Sequence, residues 1–302
     1  MLSEGLVMLK RDNAYVIKQQ LASYLADFKS QTISVGNDNF RFIESGQVGA
    51  ECIIFLHGTL GNKSQWRGLM QLLSSRYRVI AIDIPGLAVG FKTDSDHYSL
   101  TFLADYLSRF FQFNNISSAC LVGHSMGANV ASRFASLYPK KANSLVVSSL
   151  TGWEQLFDKS YWYKFSEFKQ LLVFNSSEEF QAVVSSLFHQ PPYVPKALLD
   201  YRMRDIKKHQ TQLFKVLGDI QQEFHLLAGD LKSLSCPILA INGENDVFID
   251  MNVIRRAAIL LPEIKMVNFS DCGHMPFLEY PKKTHSIIKE FILTTHRNLE
   301  IA

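Results

Sequence analysis

Residues 119–127 read ACLVGHSMG, the segment with the clearest structural signal in the chain. Ala119 to Val122 is an apolar run with no polar alternation, the pattern of a strand buried on both faces. It leads directly into Gly123-His124-Ser125-Met126-Gly127, and helix-period sequence follows from Ala128 to Tyr138. A G-x-S-x-G pattern set between strand and helix predicts a tight turn that presents the serine hydroxyl above the sheet edge. Side chains at the flanking positions would collide, so glycine stands two residues before and two after the serine. The bare pattern arises by chance in about one chain in ten of this length, given ordinary Gly and Ser usage. Its strand and helix context is what makes it specific.

Similar apolar runs recur on both sides of this segment, at 52–56 (CIIFL), 78–83 (RVIAID), 144–150 (SLVVSSL), 237–242 (PILAIN) and 265–269 (KMVNF). Between them lie amphipathic stretches at 63–75, 99–114, 127–138, 250–261 and 283–295, with apolar residues three or four apart. Such alternation predicts an α/β fold, a mostly parallel sheet with helices on both faces. Residues 31–45 (QTISVGNDNFRFIES) differ: two short strands flank an Asn-Asp turn, which predicts an antiparallel hairpin at the start of the sheet.

The rhythm breaks at 151–232, which is rich in helix-period sequence and aromatics and reads as a helical cap inserted into a core formed by 31–150 and 233–302. Residues 1–30 form a separate extension. Within it, 10–29 place Ile17, Leu21, Tyr24, Leu25 and Phe28 on one face of an amphipathic helix. That helix is expected to pack on the protein's own surface, with peripheral membrane contact or self-association as the alternatives.

Composition excludes several classes. Of 302 residues, 47% are hydrophobic and 20% charged, ordinary globular values with ample side chain to bury. A net charge of +3 without a clustered basic stripe does not suit a nucleic-acid surface. Cys52, Cys120, Cys236 and Cys272 show no CxxC spacing and are expected to be reduced and mostly buried. The start, MLSEGLVMLKRDN, lacks the form of a secretory signal, and no apolar run reaches the roughly 20 residues needed to cross a bilayer. A cytoplasmic location is the expectation. No His, Cys or carboxylate cluster has metal-ligand spacing.

A serine is a poor nucleophile unless a base lies within reach and a third group orients that base. Asp246 sits just past the strand at 237–242, and His274 just past the strand at 265–269, where side chains emerge at the carboxyl edge of the sheet. The order Ser, acid, His is that of the strand-elbow enzymes. Glu244 competes with Asp246 but lies off the usual G-x-x-D spacing. Negative charge developing on a substrate oxygen calls for two main-chain donors, for which Met126 N–H and Thr59 N–H are the candidates, the second on the loop His57-Gly58-Thr59-Leu60-Gly61. His57 is expected to brace that loop, and His124 to pack behind the elbow. Leu60, Trp153, Trp162 and Phe188 are the expected substrate contacts.

Taken together, LHGTLGNKSQW, DIPG at 83–86, VGHSMGANVA, NGEND and DCGHMPFLEYP resemble the α/β-hydrolase superfamily over nearly all of the chain from about residue 31. SSEEF at 176–180, PPYVPKALLD at 191–200 and the GHMPFLEYPKKT ending look most like its monoacylglycerol lipase and bacterial lipolytic esterase branch. The resemblance implies a Ser-His-Asp triad, a helical cap and no cofactor. One departure stands out: the family usually follows D-x-P-G with x-G-x-S, whereas 83–91 read DIPGLAVGF, a longer and more apolar loop. The expected activity is cleavage of carboxylic esters with an apolar acyl group, on a small-molecule ester or lipid substrate. The alternatives are a carbon-carbon bond hydrolase or acyltransferase on the same triad, or a non-catalytic ligand receptor or scaffold.

Overall fold

Five consecutive strands carry apolar side chains on both faces, and the reason is visible in how those side chains divide. The computed structural model describes residues 28–35, 38–158 and 163–301. Its eight-stranded sheet has the order β1-β2-β4-β3-β5-β6-β7-β8. The strands are β1 (Lys29–Val35), β2 (Asp38–Ser45), β3 (Cys52–Leu56), β4 (Arg78–Ile82), β5 (Ala119–His124), β6 (Ala142–Ser148), β7 (Ile238–Gly243) and β8 (Ile264–Phe269). Along β3, Ile54 and Leu56 face one core while Ile53 and Phe55 face another; β4, β5, β6 and β7 split in the same alternating way. This is the period-2 geometry of a strand with a hydrophobic layer on each side.

Helices close each layer. One is capped by α1 (Arg67–Leu73) and the C-terminal α10 (Pro281–Ile301), through Leu69, Met70, Leu73, Ile288 and Ile292. The other is covered by α2 (Leu100–Phe113) and α3 (Met126–Leu137), joined by α7 (Leu227–Ser233) and α8 (Met251–Leu260). Ser99 starts α2 by accepting the Phe102 N–H on its hydroxyl at 3.1 Å, and Asp250 starts α8 by accepting the Asn252 N–H at 2.8 Å. Each satisfies a donor the first helical turn cannot use.

The hairpin expected at 31–45 is present: β1 and β2 pair antiparallel with Val35 opposite Asp38. β2 also opposes β4, and all pairs from β4 to β8 are parallel. The amphipathic helix expected at 10–29 lies outside the described residues except for its end. There Phe28 is buried, with the Arg67 guanidinium 5.4 Å from its ring centroid, and Lys29 opens β1 instead of closing a helix.

Between β6 and β7 run α4 (Tyr163–Leu171), α5 (Ser177–Ser186), α6 (Lys196–Glu223) and α7, with no strand among the described residues. This insertion is not one uniform layer. Phe174, Phe180, Val194, Leu199 and Ile206 form a small core of their own, whereas Leu213, Val216, Leu217 and Ile220 from the second half of α6 join the sheet core. The 28-residue α6 therefore bridges the two, and α7 packs against α3 as a sheet-covering helix. Among the described residues no helix is long and apolar enough to cross a membrane.

Candidate active site

Ser125 joins β5 to α3 with φ of 50° and ψ of −122°, a left-handed backbone that a residue with a Cβ adopts only when its surroundings impose it. Close packing on both sides imposes it here. A Cβ on Gly123 would lie 2.5 Å from Ala128 Cα, and one on Gly127 would lie 2.4 Å from the carbonyl oxygens of Leu56 and His57. The turn can therefore seat α3 tightly against β3 and β5 only with glycine at both flanks. Ser125 N–H donates to Ser148 O at 2.9 Å, which fixes the turn to the end of β6.

The loops after β7 and β8 meet backbone to backbone. A Cβ on Gly243 would lie 2.1 Å from Gly273 O, and Asn245 N–H donates to Cys272 O at 2.9 Å. This contact brings His274 Nδ1 to 2.7 Å from Asp246 Oδ2, while Asp246 Oδ1 accepts the Phe248 N–H at 2.8 Å. Both carboxylate oxygens are engaged, which fixes the group's rotation. Asp246 and His274 are buried, whereas Glu244 is exposed and turned to solvent. With Nδ1 held by the carboxylate, Nε2 is the ring nitrogen left to His274, and His274 and Ser125 line the same cavity. The Phe248 ring packs edge-on against the imidazole at 5.1 Å.

Two further histidines serve the frame. His57 Nε2 accepts the Ile84 N–H at 2.9 Å, so the proton sits on Nδ1, which donates to Gly58 O at 2.8 Å. Complete burial pushes its pKa below the usual histidine value, against the opposing pull of Asp83, and keeps the ring neutral. His124 lies behind the elbow with Nε2 2.8 Å from His274 O. Burial, reinforced by neighbouring His274, pushes its pKa far down, so Nε2 carries the hydrogen that bonds this carbonyl.

The loop 57–61 is held from three directions. Asp83 at the end of β4 accepts the Lys63 N–H at 2.7 Å and pairs with its ammonium at 2.6 Å. Leu60, with φ of 61°, donates its N–H to Leu87 O at 3.1 Å, and its carbonyl accepts from Arg202 Nη2 on α6 at 3.1 Å. The unusual loop at 86–91 thus has a mechanical place between 57–61 and α6. Its own glycines face that helix, since a Cβ on Gly86 would lie 2.6 Å from Val216 and one on Gly90 would lie 2.9 Å from His209.

A cavity of about 210 Å³ opens above Ser125. Gly58, Thr59, Leu60, His124, Ser125 and His274 form its floor. Its walls come from the insertion, through Phe168 and Leu171 of α4, Val183 and Val184 of α5, and Leu198 and Ile206 of α6, with Phe248 and Met275 from the sheet loops. Among the described residues Arg202 is the one Lys or Arg in the lining. Of the four expected substrate contacts, Leu60 lines this cavity. Trp153 is 1% exposed and packs among the helices covering the sheet, and Phe188 is buried with Met275 and Phe277 beneath the histidine loop. Neither lines the cavity, because both spend their rings on the interior; Trp162 lies outside the described residues. Sequence reasoning passed over Phe248 and Arg202. Phe248 could have been sought two residues past the carboxylate, but Arg202 carried no signal apart from helical position. Among the described residues no group of three His, Cys, Asp or Glu side chains could hold a metal ion.

Residues 51–281 match the family model described as the alpha/beta hydrolase fold. Lipase 1 of Psychrobacter immobilis is 26% identical over 268 residues, covering 88% of this chain and 84% of that protein. A monoacylglycerol lipase of Xenopus laevis is 24% identical over 279 residues, covering 86% and 80%. Among solved structures, a bacterial membrane phospholipase A superposes with a TM-score of 0.80 at 21% identity, covering 93% of this chain and 91% of that one.

Proposed function

Because the chain belongs to the α/β-hydrolase family, we propose that it cleaves carboxylic esters bearing an apolar acyl group, through an acyl-enzyme formed on Ser125. The observation that carries this reading is the 2.7 Å bond between His274 Nδ1 and Asp246, which leaves the other imidazole nitrogen for a serine hydroxyl in the same apolar cavity. The lipases among its relatives support the bond type.

In this reading His274 Nε2 takes the Ser125 proton as Oγ attacks the ester carbonyl, and Asp246 stabilises the imidazolium and holds its orientation. The tetrahedral oxyanion is received by Met126 N–H, at the start of α3 where the helix dipole is favourable, and by Thr59 N–H. Leu60 supports that choice, since its N–H is already committed to Leu87 O. His274 then returns the proton to the leaving alcohol, and water repeats the sequence to release the acid. Helices α4 to α6 act as the cap, and their apolar side chains receive the acyl chain, whose burial contributes affinity in proportion to the area removed from water.

A fluorophosphonate probe, together with p-nitrophenyl esters of rising acyl length, tests the proposal. Wild type should label on Ser125 and prefer acyl groups longer than acetyl, and S125A should neither label nor hydrolyse. Equal labelling of both proteins, or of neither, would remove the proposal.

A further inference from the structure

Glu279, the last residue of the short helix α9 (Pro276–Glu279), lies five residues after His274 and outside the group formed by Ser125, His274 and Asp246. Its two carboxylate oxygens face in different directions. Oε1 accepts the Gly273 N–H at 2.7 Å, immediately before His274 in the chain, and the Cys272 thiol is directed at the same oxygen at 3.5 Å. Oε2 accepts the His189 N–H at 3.0 Å and the Gln190 N–H at 3.3 Å, both in the segment that joins α5 to α6. One side chain thus gathers three main-chain donors from two parts of the fold that are more than eighty residues apart.

The backbones it joins are already in contact. His274 N–H donates to Leu187 O at 2.8 Å, and a Cβ on Gly273 would lie 2.8 Å from His189 N and from the Phe188 carbonyl carbon. Segment 187–190 therefore forms one wall of the groove in which the histidine loop lies. Within that segment Phe188 is buried, while His189 and Gln190 are exposed at the surface. The Glu279 carboxylate ties these two exposed residues to the histidine loop through their N–H groups, and charge-assisted bonds to N–H groups are about twice as strong as neutral ones.

We propose that Glu279 is a positioning residue: it clasps the helical insertion to the histidine loop, and so sets the His274 imidazole against Asp246 and Ser125. The proposal rests on the triad reading above for its effect on rate, but the clasp itself is a statement about geometry. Glu279 touches no reacting atom.

E279Q in the full chain is the test. Glutamine is nearly isosteric, yet its NH2 must confront an N–H donor on one side or the other, so one half of the clasp is lost. The expected result is a drop in kcat of about tenfold to a hundredfold, as small misplacements of a catalytic group typically cause, with KM for a p-nitrophenyl ester changed less than about twofold. The low-field proton resonance of the His274–Asp246 hydrogen bond should shift or broaden with it. Unchanged kcat and resonance, with only a lower thermal midpoint, would reduce Glu279 to a stabilising contact and overturn the proposal. Amide hydrogen exchange on the wild type tests the clasp without any variant: Gly273 and His189 should be protected together, and exchange of either at the rate of a free loop overturns it. If the wild type takes no fluorophosphonate and hydrolyses no ester, the enzymatic reading fails, while the resonance and the exchange data still judge the clasp.

Discussion

The loops at the carboxyl edge of the sheet and the helices inserted after β6 enclose the same cavity, yet they are built in different ways. On the sheet side the main chain does the positioning. Ser125 is held in a backbone few residues adopt, Gly127 lies under two carbonyls, and Gly243 touches the loop that carries His274. On the insertion side, α4, α5 and the first half of α6 present apolar side chains from ordinary helical turns. The first arrangement leaves no room for a Cβ at these glycines and tolerates little substitution. The second defines a volume, and many combinations of Leu, Val and Phe could define a similar one.

The sheet side should respond most strongly at Asp246, whose two carboxylate oxygens are both engaged. D246N keeps the shape and the bond from Phe248 N–H, but an amide that turns its NH2 toward His274 forces the wrong tautomer. We expect a loss of about 10⁴-fold in kcat, with the urea midpoint near that of the wild type. Turnover of a saturating p-nitrophenyl ester measures it, and fluorophosphonate labelling should slow with it. A loss under tenfold would mean that the imidazole is oriented by something other than this carboxylate.

This division also governs what could be read from the sequence. The sheet was legible because both-face burial leaves unbroken apolar runs, and the elbow because its five residues are contiguous, although only Gly123 answers to a local contact, Gly127 being required by Leu56 and His57 at the end of β3. Asp246 and His274 could be placed because strand ends are a topological address. The wall of the cavity had no such address. Trp153 and Phe168 are both aromatics of the insertion, and nothing local distinguishes the ring that fills the sheet core from the one that lines the cavity. The same holds for α6, whose apolar stripe serves the cavity at one end and the sheet core at the other. Glu279 was visible in DCGHMPFLEYP as a letter only, since two of its partners, His189 and Gln190, come from a segment some ninety residues earlier.

Acid provides an intermediate test, because the sheet side contains two buried neutral histidines. His57 and His124 both have pKa values below the ordinary 6.5 in the folded protein, owing first to burial. The unfolded chain therefore binds more protons than the folded one at any pH between the folded and unfolded values. Stability is complete above the unfolded pKa and declines as pH drops through about 6.5, by up to about 1.4 kcal/mol per pH unit for each group. Urea unfolding at pH 7.5, 6.5 and 5.5 should show this, and H124N should lessen the slope. An unfolding free energy that is flat over the same range would contradict the burial of neutral rings behind the elbow.

The smallest effect should come from the insertion side, and its smallness is informative. Val184 and Leu198 face the cavity from α5 and α6, and replacing either with Phe shortens the space above Ser125 without touching a main-chain bond. Removing room for a methylene or two costs a long acyl chain roughly 1–3 kcal/mol in the transition state, while a butyrate ester should be hydrolysed within about twofold of the wild-type rate. Measured as kcat/KM across a series of p-nitrophenyl esters, the optimum should move to shorter chains and the rate at that optimum should hold. If V184F and L198F instead depress all chain lengths equally, the helices do more than define volume: they would then take part in holding the reacting groups, as Arg202 and the 187–190 segment already do for the two loops beneath them.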